Sequence, residues 1–341
     1  MNRLTQLSIR AALMASALFL IHGCSIIYKT TGHVVASLSE DAVVPYMLAQ
    51  DDMQMACNSY SLSPLISSFE EVGTDIRELG ILLYSVGGLC TQVDAQKYEM
   101  SYFMAIKNGD GMKAQDSLTL FKRTHKQAAK NYLRSYNYMI DFFEPEENEC
   151  PDFDNDFQEL TWLLGQMSGA LALLSDSSAD LSVGIPRNIP AKVEGWIGCI
   201  DNEKWWGAPN GLQAAVWTTL PAVAPENANP PAVLVNSQSQ SLETGVRIGY
   251  ALRAMSMLGE GKTAQAKQVI REFAKTNENG FTPDPNFKMI DTIAEQIILG
   301  ISDVIWGKEE GMHTPFGSLG TFANDAVEEE PVMDFDLDDL L

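Results

Sequence analysis

Apolar positions recur at helical spacing along almost the whole of this 341-residue chain. Residues Leu38 to Asn58 read as a first helix, interrupted near Pro45. Ser63-Pro64 opens a short second helix running through Val72, since proline suits a first turn. Thr74-Asp75 is expected to cap a helix with Ile76, Leu79, Leu82, Leu83 and Val86 along one face, and Gly87-Gly88 to break or bend it before Cys90. The next helix begins near Asp116 and aligns Leu118, Phe121, Ala128, Tyr132, Tyr136, Met139 and Phe143. Lys122, Arg123, Lys126, Lys130 and Arg134 occupy much of its opposite face, and Pro145 ends it.

An acidic loop from Glu144 to Asp156 leads into a buried helix, Asp156 to Leu174, carrying Leu160, Trp162, Leu163, Leu164, Met167 and Leu171. A turn over Gly184–Pro190 and a short helix over Ala191–Asn202 follow. Trp205-Trp206-Gly207-Ala208-Pro209-Asn210-Gly211 is a loop entering a Leu212–Thr219 helix. Four prolines between 221 and 231 demand irregular backbone. Helices over Val246–Leu258 and Ala264–Lys275 flank a Gly259-Glu260-Gly261 corner, and Ile290–Trp306 is the last helix. Ala232–Asn236 is the single strand candidate. The expected fold is all-α: an irregular, tetratricopeptide-like bundle or solenoid of antiparallel helix pairs, with no fixed repeat period.

The first residues modify this picture. Arg3 and Arg10 precede an apolar run from Ala11 to Ile21, then His22-Gly23-Cys24-Ser25, the layout of a bacterial lipoprotein leader too short to span a bilayer. The expectation is a leader over 1–23, lipidation of Cys24, a tether over 24–35, a helical body over 36–306 and a disordered acidic tail over 307–341. Ser25, rather than Asp, after the cysteine points to a periplasmic protein anchored in the outer membrane. Net charge is −22, and about −24 once Arg3 and Arg10 leave with the leader. Such a surface repels nucleic acid and anionic headgroups, so membrane contact is expected through the N-terminal lipid alone. Cys57, Cys90, Cys150 and Cys199 remain. They allow two disulfides in three connectivities, with sequential pairing expected, or four buried thiols.

Motifs for catalysis are missing. The chain has no HExxH, no GxSxG, no CxxC and no histidine pair at metal spacing, so neither an enzyme, a metal nor a cofactor is expected. Gly259-Glu260-Gly261-Lys262-Thr263 follows a helix, not a strand, and reads as a helix–turn–helix corner. Asp152, Asp154 and Asp156 alternate like a calcium loop, but Phe157 stands where the turn needs glycine, so the stretch reads as a solvated acidic loop. Adjacent indoles on a Gly/Pro/Asn turn do not readily enter one core together, which makes Trp205, Trp206 and Asn210 candidates for a ligand or partner groove. The basic face from Lys122 to Arg134 is the largest positive patch and reads as a solvated helix face, with an anionic ligand or the acidic tail as the alternative.

Several segments together resemble the T component of tripartite ATP-independent periplasmic transporters. Val43-Val44-Pro45-Tyr46-Met47-Leu48 is similar to that family's opening helix, and Leu118 through Tyr132-Leu133 to its long helix. Leu160-Thr161-Trp162 through Ala172, Gly211-Leu212 through Leu220-Pro221, and Gly261 to Phe273 resemble its later helices. The family's Leu-Pro turn continues differently here, with a Pro/Asn-rich insertion. The resemblance implies a lipid-anchored helical docking protein, assembled as a homotrimer. It would engage a periplasmic solute-binding subunit and hold a small organic acid or a hydrophobic molecule without covalent chemistry. A structural or assembly lipoprotein, using the same helical surface as a scaffold, is the alternative reading. Replacing the thiol, Cys24→Ser, is expected to release the protein from the envelope pellet to the soluble fraction while leaving its far-ultraviolet dichroism unchanged.

Overall fold

The computed structural model describes residues 27–146 and 149–325. The leader, Cys24 and positions 326–341 of the acidic tail lie outside the described residues. Every regular element among the described residues is helical, so the chain is all-α. Helix α1 covers 27–38, inside the segment expected to be a tether. A π turn, Ser39–Val43, joins it to α2 (Val44–Leu48), whose first turn accommodates Pro45 without loss of a hydrogen bond. Short helices α3 (Met53–Ser59) and α4 (Ser63–Ser68) follow. Asp52 caps α3 by accepting the Met55 N–H at 3.0 Å.

Two long helices form the spine: α5 (Arg77–Lys107) and α6 (Gly111–Phe143), each roughly 45–50 Å long at 1.5 Å per residue. Gly109, at φ +72°, turns the chain between them, and Asp110 caps α6 by accepting the Lys113 N–H at 3.0 Å. The Gly87-Gly88 pair does not break α5. A Cβ at Gly87 would overlap the ring of Tyr60, and one at Gly88 the ring of Tyr132. The glycines are notches that admit aromatic rings against the helix backbone, and the continuous helix follows from that packing. Helix α7 (Asp156–Ser178), capped by Asn155, lies against α6 and α5. A buried hydroxyl chain ties all three together. Ser85 Oγ lies 2.8 Å from both Ser135 Oγ and Ser168 Oγ, and Ser135 donates to the Ile81 carbonyl at 2.8 Å.

The acidic loop after α6 is pinned to the body. Trp162 is fully buried against Phe143, Phe153 and Trp196 at ring separations of 5.1–6.1 Å. Trp196 Nε1 donates to the Glu146 carbonyl at 3.0 Å, and Cys150 is bonded to Cys199. Beyond it come α8 (Ile189–Trp196), α9 (Ala208–Thr219), α10 (Pro230–Glu243), α11 (Ile248–Gly259), α12 (Thr263–Glu278) and α13 (Lys288–Glu310). The strand candidate Ala232–Asn236 lies inside α10. Asn229 caps that helix by accepting the Ala232 N–H at 3.2 Å, and Pro230-Pro231 fill its first turn. These terminal signals outweigh the β-branched side chains of Val233 and Val235.

Helix α13 packs on α11 and returns to α5 and α2, so the first and last parts of the fold meet. Its entry is fixed by a buried pair. Arg247 Nη2 and Nε donate to Asp291 at 2.6 and 3.0 Å, and the Arg247 backbone N–H to the same carboxylate at 2.8 Å. The guanidinium lies between the rings of Phe273 and Phe281, at 4.1 and 4.0 Å. The tail expected to be disordered from 307 begins as ordered chain. Phe322 is buried beside Lys267 and Arg271, Asp325 pairs with Arg271 at 2.6 Å, and Trp306 Nε1 donates to the Thr321 carbonyl at 3.1 Å. Apolar burial and one ion pair hold what the acidic composition alone disfavours.

Where the N-terminal helices meet α5, Glu78 is partly buried with one carboxylate oxygen lacking a partner. Burial, then the charges of Glu40, Asp75 and Asp154, raises its pKa from 4.5 to about 7. A raised acid favours the folded state while protonated, so this contribution is fully present below pH 4.5 and lost as pH rises through about 7. Glu78→Gln should therefore flatten the decline in melting temperature across that window and raise the melting temperature at pH 8. A second variant tests the notches: Gly88→Ala should cost about 1–3 kcal/mol in urea unfolding by overpacking against Tyr132.

Candidate functional site

Three apolar stripes converge inside the fold. Helix α5 offers Leu82, Val86 and Leu89; α7 offers Leu160, Leu163, Leu164, Met167 and Leu171; α13 offers Met289, Ile290, Ile293 and Ile297. Each set follows the spacing of one helical face. Met47 and Leu48 of α2, Met53 and Ala56 of α3, Tyr132 of α6 and Ile248 of α11 complete the wall. They line a cavity of about 110 Å³. That is the order of the roughly 150 Å³ cavities lined by Leu, Ile and Phe that stay dry and take up benzene.

The polar inventory of this wall is small. Ser85 and Ser168 contribute hydroxyls, which already bond to each other, and among the described residues no charged side chain lines the space. Burying a carboxylate here would leave it without a counter-charge, at a cost of several kcal/mol. An uncharged apolar group meets no such penalty. Four methionines, Met47, Met53, Met167 and Met289, give the wall flexible thioether side chains that adjust to irregular shapes. Cys57 of α3 is bonded to Cys90 of α5 next to Ala56 and Leu89, so a covalent bond joins two sides of the wall.

The indole pair divides between two places. Trp206 lines the cavity with Ala208, whereas Trp205 is not part of its wall. Both rings are buried, 5.4 Å apart and nearly perpendicular, and both pack on Phe287. Left-handed backbone at Trp206 (φ +59°) and Gly207 (φ +70°) reverses the chain between them. Asp201 holds this turn by accepting the Glu203 and Lys204 N–H groups at 2.7 and 3.0 Å, and these backbone bonds hold its carboxyl below the usual range. Trp205 Nε1 donates to Glu159 at 2.6 Å, and Lys204 bridges Glu159 and Asp156. Trp205 is thus a staple between the loop and α7. Asn210 is exposed in the first turn of α9, and its backbone N–H donates to Asn202 Oδ1 at 2.9 Å. The three candidates therefore do not form one groove; Trp206 alone reaches the cavity.

Other expected features have quieter surroundings. On the basic face, Lys122 pairs with Asp180 at 2.7 Å and Arg134 lies over the Tyr84 ring. His125 is buried beside Phe121, burial pushes its pKa down to about 4, and its Nδ1 has no partner. His313 lies 3.1 Å from Asp303. Among the described residues no three His, Cys, Asp or Glu side chains converge as a metal-ligand set, and no helix is long and apolar enough to cross a membrane.

The cavity-lining stripes are visible in the sequence as core faces, and the element carrying Met47 and Leu48 as an opening helix. What marks them as a cavity is that α2, α3 and α13 meet α5 and α7 without filling the space between, and no local spacing records that. Comparison with known protein families, curated proteins and solved structures finds nothing that matches this chain.

The Cys57–Cys90 bond closes a loop of 33 residues. Removing it with Cys57→Ser and Cys90→Ser together should lower unfolding stability by about 3–4 kcal/mol, read by urea titration.

Proposed function

We propose that this chain is a lipid-anchored periplasmic accessory protein of solute uptake, of the kind that serves tripartite ATP-independent transporters. It holds a hydrophobic molecule in its central cavity and docks the solute-binding subunit through its helical surface. The observation that carries this reading is the chemistry of the cavity wall: a converging apolar lining with two mutually satisfied hydroxyls and no charge. Of the two ligand classes that the family resemblance implies, this wall favours the hydrophobic one. An organic acid would find no cation to meet its carboxylate. The helix pair α11–α12, turning at Gly261 (φ +74°), supports the tetratricopeptide-like part of the reading.

Binding without covalent chemistry needs a ligand that enters and leaves. Several wall residues, including Val86, Leu164, Met167 and Ile293, are only half-buried, so the cavity is reachable from outside. Uncharged benzene, a ligand of the size such a cavity takes, should bind the purified protein, read by isothermal titration calorimetry. Ile293→Trp, which fills the cavity, should weaken that binding about tenfold or more, the equivalent of about 1.4 kcal/mol. Circular dichroism of the variant establishes that it folds. Equal binding by a folded Ile293→Trp protein would sink the cavity reading. The docking part is tested by crosslinking in intact envelopes followed by mass spectrometry. A solute-binding subunit should be captured, and recovery of envelope assembly factors without one would reject the transport role.

A further inference from the structure

Helix α1 has an apolar face that nothing among the described residues covers. The helix sits on the body through its other side. Ala36 is buried, Val35 packs on the core, and Gly32 lies so close to Thr74 and Phe69 that a Cβ there would overlap them. The Thr74 hydroxyl donates to the Lys29 carbonyl at 3.2 Å. Ile27, Val34 and Leu38 fall at i, i+7 and i+11, one stripe of a helix, and are 64, 62 and 57% exposed. Thr31 completes the stripe, but its hydroxyl donates back to the Ile27 carbonyl at 2.9 Å. Tyr28 and, beyond the π turn, Tyr46 are exposed as well.

Charge distinguishes this face from the rest of the surface. The chain holds 45 acidic against 23 basic residues, yet between Ser25 and Ser39 there is no Asp or Glu, and Lys29 and His33 are the basic groups. Ile27 follows Cys24 by three residues, a reach of at most about 10 Å. The geometry points to α1 lying flat on the bilayer that holds Cys24, with its Ile27–Val34–Leu38 face set into the boundary between headgroups and acyl chains. This rests on the lipid-anchor part of the proposed function and extends it, because the membrane is then met by a protein surface as well as by lipid. A face this small binds weakly by itself. The anchor supplies the high local concentration that makes weak partitioning sufficient.

The test uses the whole mature chain from Cys24 onward. Its other four cysteines are paired, so the Cys24 thiol can be coupled to a maleimide phospholipid in phosphatidylethanolamine–phosphatidylglycerol vesicles. This replaces acylation, so the face is tested whether or not acylation occurs in cells. Photoreactive p-benzoylphenylalanine is placed at Val34, at Leu38, or at the exposed control Met112 at the start of α6, with dichroism verifying the fold of each. Illumination should give phospholipid adducts at positions 34 and 38 several-fold above those at 112. Equal or absent lipid adducts overturn the proposal, as do adducts joining two copies of the chain, which would assign the face to self-association. The anchor reading is checked separately by the mass of the N-terminal peptide from envelope-purified protein. A peptide without acyl groups rejects that reading and leaves the vesicle result to decide the helix face.

Discussion

The buried pair of Arg247 and Asp291 is the constraint on which the arrangement of this fold depends. Two opposite charges withdrawn from water carry a desolvation penalty that attraction alone does not offset. Here four of the five guanidinium N–H groups are engaged, with two bonds to Asp291 and one each to Thr276 and Asn277, and an aromatic ring lies on each face. Because Asp291 belongs to the first turns of α13, satisfying the pair fixes where that helix starts and in which direction it runs. α13 then reaches back to α5, and its Ile293 and Ile297 become one wall of the cavity. Removing one partner would strand a charge in the interior, which is why the pair specifies position more than it adds stability.

An open apolar space is costly in a protein interior, which is ordinarily close-packed. Its lining forgoes contacts that neighbouring side chains would supply. The surroundings are tied together by packing and hydrogen bonds. Rings of Tyr60 and Tyr132 seat in the glycine notches of α5, the Ser85–Ser135–Ser168 hydroxyls join α5, α6 and α7, and Trp205 bonds to Glu159 across the loop before α9. Trp206 sits on that loop in a left-handed conformation that a bulky residue adopts only at a cost. Strain of this kind is retained where a side chain must be aimed, and here it is aimed at the cavity.

The helical class, most helix positions and the core faces were legible because each depends on spacing within one segment. Leu160, Leu163, Leu164, Met167 and Leu171 declare a buried face at once. Relations between segments were not legible. Gly87-Gly88 reads as a break when taken alone and becomes a packing notch once Tyr60 and Tyr132 arrive from other helices. Val233 and Val235 favour a strand when taken alone, and the Asn229 cap and the two prolines that start α10 outweigh them. The indoles were recognisable as unusual, yet their division between a staple and a cavity wall depends on Glu159 and Phe287, which lie far off in sequence. The ordered start of the tail depends likewise on Lys267 and Arg271 receiving Phe322.

The Cys57–Cys90 bond has a consequence for timing. It joins α3, which carries Met53 and Ala56, to α5 beside the Tyr60 ring seated at Gly87. In a reducing compartment that part of the wall is held by side-chain packing and hydrogen bonds such as Tyr60 to Asn131, without the covalent bond. A chain exported unfolded and oxidised on arrival would close its binding chamber only after crossing the membrane. On the proposed reading, the chamber would take its first apolar occupant after oxidation, on the side of the membrane where the bond forms.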